Sequence, residues 1–392
     1  MAECNPAKIE YQLQIDAGYY NTLDIQGFSR MMKDPSYCYK FYWLEAIVLL
    51  IAENKKEASY DEIINEMIAN AWYSVLEFHI HLSGIWGDGE VRDSLEKAVW
   101  KLHKLSGLPG NASKVEIKNR ITEFSKELHE EKMTLTQNVP YKALSGFANR
   151  YSERIDLNSS AGRMMAYYNR ISELEAPLPY TFGNQNGLNR KIFFHESWIQ
   201  MIQDHMVSIL GWIQYEKVRW LQNTNPEVPG LVYKLAPLDD KMRKLGHVRK
   251  LWEGILDTTN VVDVFKNEPI RKEAYDVDHF IPWSFVMNDE LWNLMPMDCS
   301  LNSSKNNRLP QWDRFFKNFA INQYTMYELI HEKPGLRKLY EACYRDNLHS
   351  IWASQELYRK GNSREEFYGI LERNMRPVYD SAKRQGYEIW VM

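Results

Sequence analysis

The chain has 392 residues, of which 44% are hydrophobic and 26% are charged. This composition excludes a disordered protein, because enough apolar surface is present to offset the entropy of folding. The formal net charge of -4 excludes a chain-wide attraction to nucleic acid, so any such binding requires a local basic surface. The four cysteines form no CxxC pair, which excludes a cysteine-rich zinc site.

The N-terminal part of the chain is predicted to be helical. Phe41–Ala52 is apolar on nearly every side, as is typical of a buried helix, and it is too short to span a membrane. Ser59 is predicted to cap a second helix whose first turn is acidic. Two interpretations stay open for this pair: a helical hairpin of the core, or a helix-turn-helix motif. The second helix carries Glu62 and Glu66, which would repel phosphate, so the pattern favours the hairpin.

Breaks in the pattern predict four segments. Residues 1–110 are expected to form a helical domain, and 111–230 a second domain or a continuation of the first. A smaller module with a preceding basic helix is expected over 231–320, and residues 321–392 are expected to be helices that pack on it. The proline-rich stretch 223–240 reads as a linker. The start of the chain does not resemble a signal peptide, so we expect a soluble, cytoplasmic protein with no membrane partner.

A basic helix is predicted over Asp239–Leu256. Arg243, His247 and Lys250 recur at positions i, i+4 and i+7, and therefore share one face of this helix. The face is either an ordinary solvated surface or a site that contacts phosphate. Its position just before the most informative segment of the chain gives the second interpretation weight equal to the first.

The segment 275–310 predicts a strand–loop–strand–helix unit. Tyr275–Ile281 alternates and is rich in β-forming residues, and Pro282 ends this strand. Trp292–Met297 is predicted to be the second strand. Asp298–Asn307 is predicted to be a short helix, with Pro310 just beyond it.

The polar residues of this unit suggest metal-assisted hydrolysis. If the helix packs across the hairpin, Asp278, His279 and Asn302 can converge. The oxygen ligands of Asp278 and Asn302 suit a hard cation such as Mg²⁺. A neutral His279 can accept a proton from water near pH 7, and Lys305 could bind a phosphate as a point charge. The alternative is structural, with His279 as a satisfied core histidine and Asn302 as a helix cap.

The order and spacing of these residues resemble the HNH, or ββα-metal, endonuclease motif. The likeness is closest to the HNH domain of the RNA-guided CRISPR nucleases, which also read Tyr-Asp-Val-Asp-His, Pro-x-Ser-Phe, Asn and Asn-x-x-Lys. The resemblance implies that His279 is the general base, that Asp278 and Asn302 are the metal ligands, and that Asn293 fixes the loop behind His279. It implies Mg²⁺ or Mn²⁺, because Asn302 stands where a related subgroup has a histidine. Lys305 matches the helix lysine near the active site.

The helical pattern of most of the chain predicts a mainly α protein with a large helical N-terminal region, and the resemblance adds a C-terminal ββα-metal nuclease module embedded among helices. We expect an endonuclease that cleaves DNA, with RNA as the alternative substrate, of the kind found in bacterial restriction or anti-phage defence. A homodimer or a protein partner is expected, because one such site cuts one strand. The alternatives are a subunit active only within a larger complex and a fold that has lost activity. The residues predicted to contact nucleic acid are Arg243, His247, Lys250, Lys305 and Arg308.

Overall fold

A computed structural model describes residues 13, 15–33, 35, 37–84, 93–235 and 243–392. These residues form two compact units, one within Met1–Asn225 and Lys234–Ala236, the other within Pro226–Tyr233 and Pro237–Met392. The chain passes between the units inside the stretch predicted as a linker, whereas the finer division into four segments stays a prediction. No helix in the described part of the chain combines the length and the apolar character needed to cross a membrane.

The first unit is mainly helical. Three short strands, β1 (Glu57–Ser59), β2 (Tyr180–Phe182) and β3 (Lys191–Phe194), form an antiparallel sheet in the order β1-β3-β2. The α-helices of its described residues are α1 (Ile25–Arg30), α2 (Tyr39–Ala52), α3 (Tyr60–Phe78), α4 (Ser94–Ser106), α5 (Lys114–Glu123), α6 (His129–Thr136), α7 (Val139–Lys142), α8 (Ala161–Leu174), α9 (Glu196–Asp204) and α10 (Met206–Thr224).

Helices α2 and α3 form the apolar centre of this unit. Most residues of α2 are buried on all sides, as the apolar sequence predicts. Ser59 and Glu62 form a capping box that starts α3, so the predicted N-cap is confirmed. Strand β1 lies between the two helices and pairs with β3. The burial of both helices favours the hairpin interpretation over a helix-turn-helix motif.

The second unit places a two-stranded hairpin among helices. Strands β4 (Tyr275–His279) and β5 (Leu294–Asp298) pair antiparallel, and β6 (Leu309–Pro310) pairs with β7 (Ile389–Trp390) in parallel. The mainly α fold with an embedded ββα module is therefore confirmed. Its α-helices are α11 (Gly246–Leu256), α12 (Trp283–Val286), α13 (Cys299–Lys305), α14 (Trp312–Glu332), α15 (Pro334–Asn347) and α16 (Arg364–Arg384).

The ββα unit differs from its prediction at the ends of its elements. The first strand stops at His279, and residues 291–293 form a 3₁₀ turn, so the second strand begins at Leu294. Asp298 is the N-cap of α13, because its Oδ1 accepts a hydrogen bond from the backbone N–H of Ser300. Asn306 ends the helix with a φ of 45°. These shifts leave Asp278 on the hairpin and Asn302 in α13.

Surrounding helices supply the core that a lone hairpin lacks. The ring of Phe280 lies 4.7 Å from that of Phe319 in α14, and Trp312 stacks on Phe316 at 4.2 Å. The OH of Tyr379 in α16 donates a hydrogen bond to the carbonyl of Pro310. The module is thus held from outside by α14 and α16, which fix the hairpin behind the site.

The predicted basic helix is shorter than expected. Helix α11 begins at Gly246, so Arg243 precedes it and does not share a helical face with His247 and Lys250. Residues 239–242 of the predicted helix lie outside the described residues. Helix α11 has an apolar face, with Val248, Trp252 and others buried.

Candidate active site

A polar pocket of about 250 Å³ opens where α13 crosses the hairpin. It contains two of the residues predicted to act as metal ligands, together with the predicted helix lysine. The ring of Trp283 forms part of its wall. The lining residues are Arg243, Asp278, Pro282, Trp283, Asn302, Ser303, Lys305, Asn306 and Asn307.

The alternation of β4 decides which side chains reach this pocket. Tyr275, Val277 and His279 point into the core, whereas Asp276 and Asp278 occupy the partly exposed face. The pocket therefore receives Asp278, and it is not lined by His279. The structure brings Asp278, Asn302 and Lys305 together, but the predicted convergence of the His279 ring with them is not observed.

Lys305 is fully buried, and its ammonium group has two partners at the end of β4. Its Nζ lies 2.8 Å from Asp278 Oδ2 and donates a hydrogen bond of 2.7 Å to the carbonyl of His279. A buried ammonium group needs such partners to offset the loss of hydration. The ammonium is thus placed on the Asp278 carboxylate rather than at the surface, and a direct phosphate contact by Lys305 stays a prediction.

Asn302 is held by a neighbour that the sequence argument overlooked. Its Nδ2 lies 3.4 Å from Asp276 Oδ2. The amide oxygen is the remaining polar atom of this side chain, and it accepts no hydrogen bond from a described residue. Asp298, not Asn302, caps α13, so the alternative of a capping asparagine is wrong.

The ring of His279 is 1% exposed and is fixed through Nε2. This nitrogen lies 3.1 Å from the carbonyl of Asn288 and 3.1 Å from Asp289 Oδ1. Both partners can only accept, so Nε2 carries the hydrogen, and in the neutral ring Nδ1 holds the lone pair. No described residue forms a hydrogen bond with Nδ1. The burial is that of a core histidine, but its basic nitrogen is left without a protein partner.

Asp289 supplies a buried carboxylate beside this ring. Burial by itself would raise the pKa of Asp289, but the His279 ring and the backbone N–H of Lys244 outweigh it and hold the pKa below 3.8. The Lys244 N–H donates to Asp289 Oδ2 at 2.6 Å. The carboxylate is therefore charged at neutral pH and orients the histidine.

Asn293 ties the loop after His279 to the second strand. It is fully buried, its Oδ1 accepts from the Ile281 N–H, and its Nδ2 donates to the Ile281 carbonyl, both at 2.8 Å. The carbonyl of Asn293 also accepts from the Phe280 N–H. The side chain thus replaces the strand pairing that ends at His279, and it makes no contact in the pocket.

The remaining residues predicted to contact nucleic acid are dispersed. The Arg243 guanidinium lies 4.9 Å from the centre of the Trp283 ring and lines the pocket. His247 is half exposed, with Nε2 4.0 Å from Asp346. Lys250 and Arg308 are exposed and form no ion pair with a described residue. Of the four, Arg243 is the one that reaches the pocket.

Sequence reasoning missed Asp263, Asp276 and Asp289. Asp276 shares a strand face with Asp278, so the two-residue period could have found it. Asp263 accepts a hydrogen bond from the Asp298 N–H at 2.8 Å, and Asp289 lies in a loop. No spacing rule indicates either contact, because both depend on tertiary structure. Among the described residues there is no cluster of three or more His, Cys, Asp or Glu side chains arranged for a metal ion.

The segment that forms this site also matches a known protein family. Residues 263–311 match the HNH endonuclease family, and the match spans both strands of the hairpin, α13 and the Asp263 loop. Searches of curated proteins and of solved structures find no match. The finer likeness to the CRISPR nucleases stays a prediction. A hairpin and helix that present an Asp, a His and an Asn in the expected order, inside a segment with this match, identify residues 263–311 as an HNH endonuclease domain and the protein as a nuclease that acts on nucleic acid.

Proposed function

We propose that this protein is a metal-dependent endonuclease that cleaves DNA. The observation that carries the proposal is the pocket shared by Asp278 and Asn302 within the segment that matches HNH endonucleases. The two side chains come from the hairpin and from α13, and they offer a carboxylate and an amide oxygen to one concavity.

The donor set fits a hard divalent cation, and HNH nucleases generally use a divalent metal. Asp278 Oδ2 is bound by Lys305, which leaves Oδ1 to serve as a ligand beside the Asn302 amide oxygen. Two protein oxygens with remaining positions for water and phosphate suit Mg²⁺ or Mn²⁺. Such an ion supplies positive charge that stabilises the leaving oxygen of the cleaved phosphodiester.

The chain's own residues would prepare the attacking water. His279 would accept the proton at Nδ1, with Nε2–H donating to the Asn288 carbonyl and the Asp289 carboxylate 3.1 Å away. Asn293 would keep the backbone behind the ring in place. Because the ring is 1% exposed, binding of the substrate must open a path for water to Nδ1.

The substrate would be held by cations near the pocket. Arg243 lies at the pocket itself, while His247, Lys250 and Arg308 are predicted to contact phosphates further along the strand. Phosphate contacts of this kind position DNA without reading its sequence. Lys305 would act here through Asp278.

We propose a role in restriction or anti-phage defence in the cytoplasm, on the basis of the large helical region joined to an HNH module. One site cuts one strand, so a double-strand break requires a homodimer, a partner or two visits. Phage challenge of cells that express the wild type or His279→Ala tests the role. Equal protection by both proteins would contradict it.

The direct test is cleavage of supercoiled plasmid by the purified chain with Mg²⁺ or Mn²⁺. The wild type should nick the plasmid before linearising it, and His279→Ala and Asp278→Asn should both lose activity. Mn²⁺ titration calorimetry should show nearly normal binding by His279→Ala and weak binding by Asp278→Asn. Equal metal affinity in the wild type and Asp278→Asn would contradict the ligand assignment.

Asp313→Asn is a matched control, since the Asp313 side chain is 98% exposed and lies in the same unit. It should cleave like the wild type. The same assay on single-stranded RNA separates the substrates. Faster cleavage of RNA than of DNA would refute the choice of DNA.

The second candidate is a subunit that is active only within a larger complex. The net charge of -4 and the buried ring of His279 favour it, because neither helps a free enzyme to bind DNA or to admit water. Cleavage that begins only after addition of a partner protein or ligand would support this candidate. Cleavage by the chain alone would exclude it.

A further inference from the structure

The first unit contains a strongly basic pocket that is separate from the nuclease site. Its volume is about 410 Å³, and all of its lining residues belong to the first unit. None of the lining residues that the structure describes is acidic. Its basic side chains are Arg30, Lys33, Lys40, Lys142 and Arg150.

Three of these cations have no ion-pair partner in the part of the chain that the structure describes. Arg30, Lys33 and Lys142 are exposed, and none forms an ion pair or a side-chain hydrogen bond with a described residue. Arg150 differs, because its guanidinium forms two hydrogen bonds with Asp24, of 2.6 and 2.8 Å. At least three positive charges that have no acidic partner among the described residues therefore line one concavity of a chain that is acidic as a whole.

Hydrogen bonds fix the position of polar side chains in the wall of this basic pocket. Lys40 Nζ donates to Ser145 Oγ at 2.8 Å, which fixes both side chains beside the free cations. Asp24 also accepts from the Gly27 N–H and from the Tyr151 OH, so it holds Arg150 firmly. These contacts prepare donors for an anionic ligand before it binds.

The shape of the pocket is built into the backbone. The 3₁₀ helix Ala143–Phe147 packs directly on α1, and a Cβ at Gly146 would lie 2.6 Å from the Met31 nitrogen. A Cβ at Gly27 would lie 2.5 Å from the Phe147 ring. Glycine at both positions permits this close approach, which sets Arg30 and Lys33 on one wall and Lys142 and Ser145 on another.

We propose that this pocket binds a nucleotide-sized ligand that carries two or more phosphate groups. Phosphate oxygens accept charge-assisted hydrogen bonds from lysine and arginine, and several phosphates would neutralise the three free cations together. The volume lies within the range of small-molecule sites. Leu157, whose side chain is exposed, adds apolar surface for the part of the ligand that is not phosphate.

The arrangement favours such a ligand over the backbone of duplex DNA. The phosphates of a duplex lie along an extended helical track, and proteins contact them with a row of cations. Here the cations surround a single concavity. A compact ligand can contact several of them at once.

Calorimetric titration of the full chain with pyrophosphate and with ATP, in EDTA, tests the proposal. We expect the wild type to bind both. The double variant Lys33→Glu/Lys142→Glu should bind each at least about 100-fold more weakly, on the basis of roughly tenfold for each charge-assisted contact. Both side chains are exposed, and an unchanged melting temperature would show that the variant is folded.

Two controls make the result specific. Lys97→Glu/Lys126→Glu reverses two exposed lysines of the same unit outside the pocket and should bind like the wild type. Asp278→Asn should also bind normally, which separates this site from the proposed nuclease function. The proposal is overturned if the wild type binds neither probe at millimolar concentration or if the pocket variant keeps its affinity. It is also overturned if the pocket variant loses binding of a 20-base-pair duplex while pyrophosphate has no effect on the wild type.

Discussion

Replacing Asn293 with Ala should destabilise the second unit and abolish cleavage without removing a metal ligand. The change removes two hydrogen bonds of 2.8 Å and leaves the N–H and the carbonyl of Ile281 unpaired. Ile281 and Asn293 are both fully buried, so water cannot replace the lost partner. An unsatisfied buried polar group costs about 1–3 kcal/mol, which gives about 2–6 kcal/mol for the pair.

Asn322→Ala provides a matched control in the same unit. Asn322 is buried and donates one hydrogen bond, to the Val262 carbonyl at 2.8 Å, so we expect about half the loss. Urea unfolding, followed by a spectroscopic signal from the second unit, measures the free energy of unfolding of both variants. At a temperature where Asn293→Ala is folded, Mn²⁺ affinity should equal that of the wild type. The reasoning is refuted if the two variants lose equal stability, or if Asn293→Ala loses metal affinity while folded.

Three further changes test other parts of the structure. Lys305→Met should lower the free energy of unfolding in urea by about 3 kcal/mol, because it leaves the Asp278 carboxylate without its buried cation. An unchanged free energy of unfolding would show that the ion pair contributes nothing to stability. Burial lowers the pKa of His79 from 6.5 to about 4, so between these pH values the unfolded chain binds a proton that the folded chain does not. The free energy of unfolding should therefore fall by about 3 kcal/mol as the pH drops from 6.5 to 4. His79→Asn, which suits the left-handed backbone at this position, should remove this pH dependence when melting is followed in acid. Gly146→Ala should lower the free energy of unfolding by about 1–3 kcal/mol, because the new methyl group overpacks the contact with α1. Gly162→Ala should cause no such loss, because open space surrounds Gly162, and differential scanning calorimetry measures both variants.

The ββα module could be predicted from the sequence because its signals are local. The alternation of Tyr275–His279, the N-cap at Asp298 and the spacing to Asn302 each depend on neighbouring residues. The capped helix after Ser59 was predictable for the same reason. The burial of Phe41–Ala52 followed from its apolar sequence on all sides.

The contacts that arrange the site depend on distant residues. Whether Lys305 is exposed or buried is decided by how α13 lies against β4, and the i, i+3 spacing from Asn302 does not determine it. The ring of His279 points inward because this residue is the last of β4, in which alternate side chains face the core. The sequence predicted that His279 converges with Asp278 and Asn302, which requires its ring to lie on the same side as the Asp278 carboxylate.

The local placement of charge matters more for this protein than its net charge. The value of -4 excludes a general attraction to phosphate, yet the described residues concentrate free cations at Arg30, Lys33 and Lys142. At the nuclease site the opposite arrangement holds, because Lys305 neutralises Asp278 from the buried side. A bare carboxylate would attract cations and repel phosphate equally at long range. The pairing with Lys305 reduces this repulsion while one carboxylate oxygen stays available, and this would let the proposed metal ion and a phosphate bind at the site together.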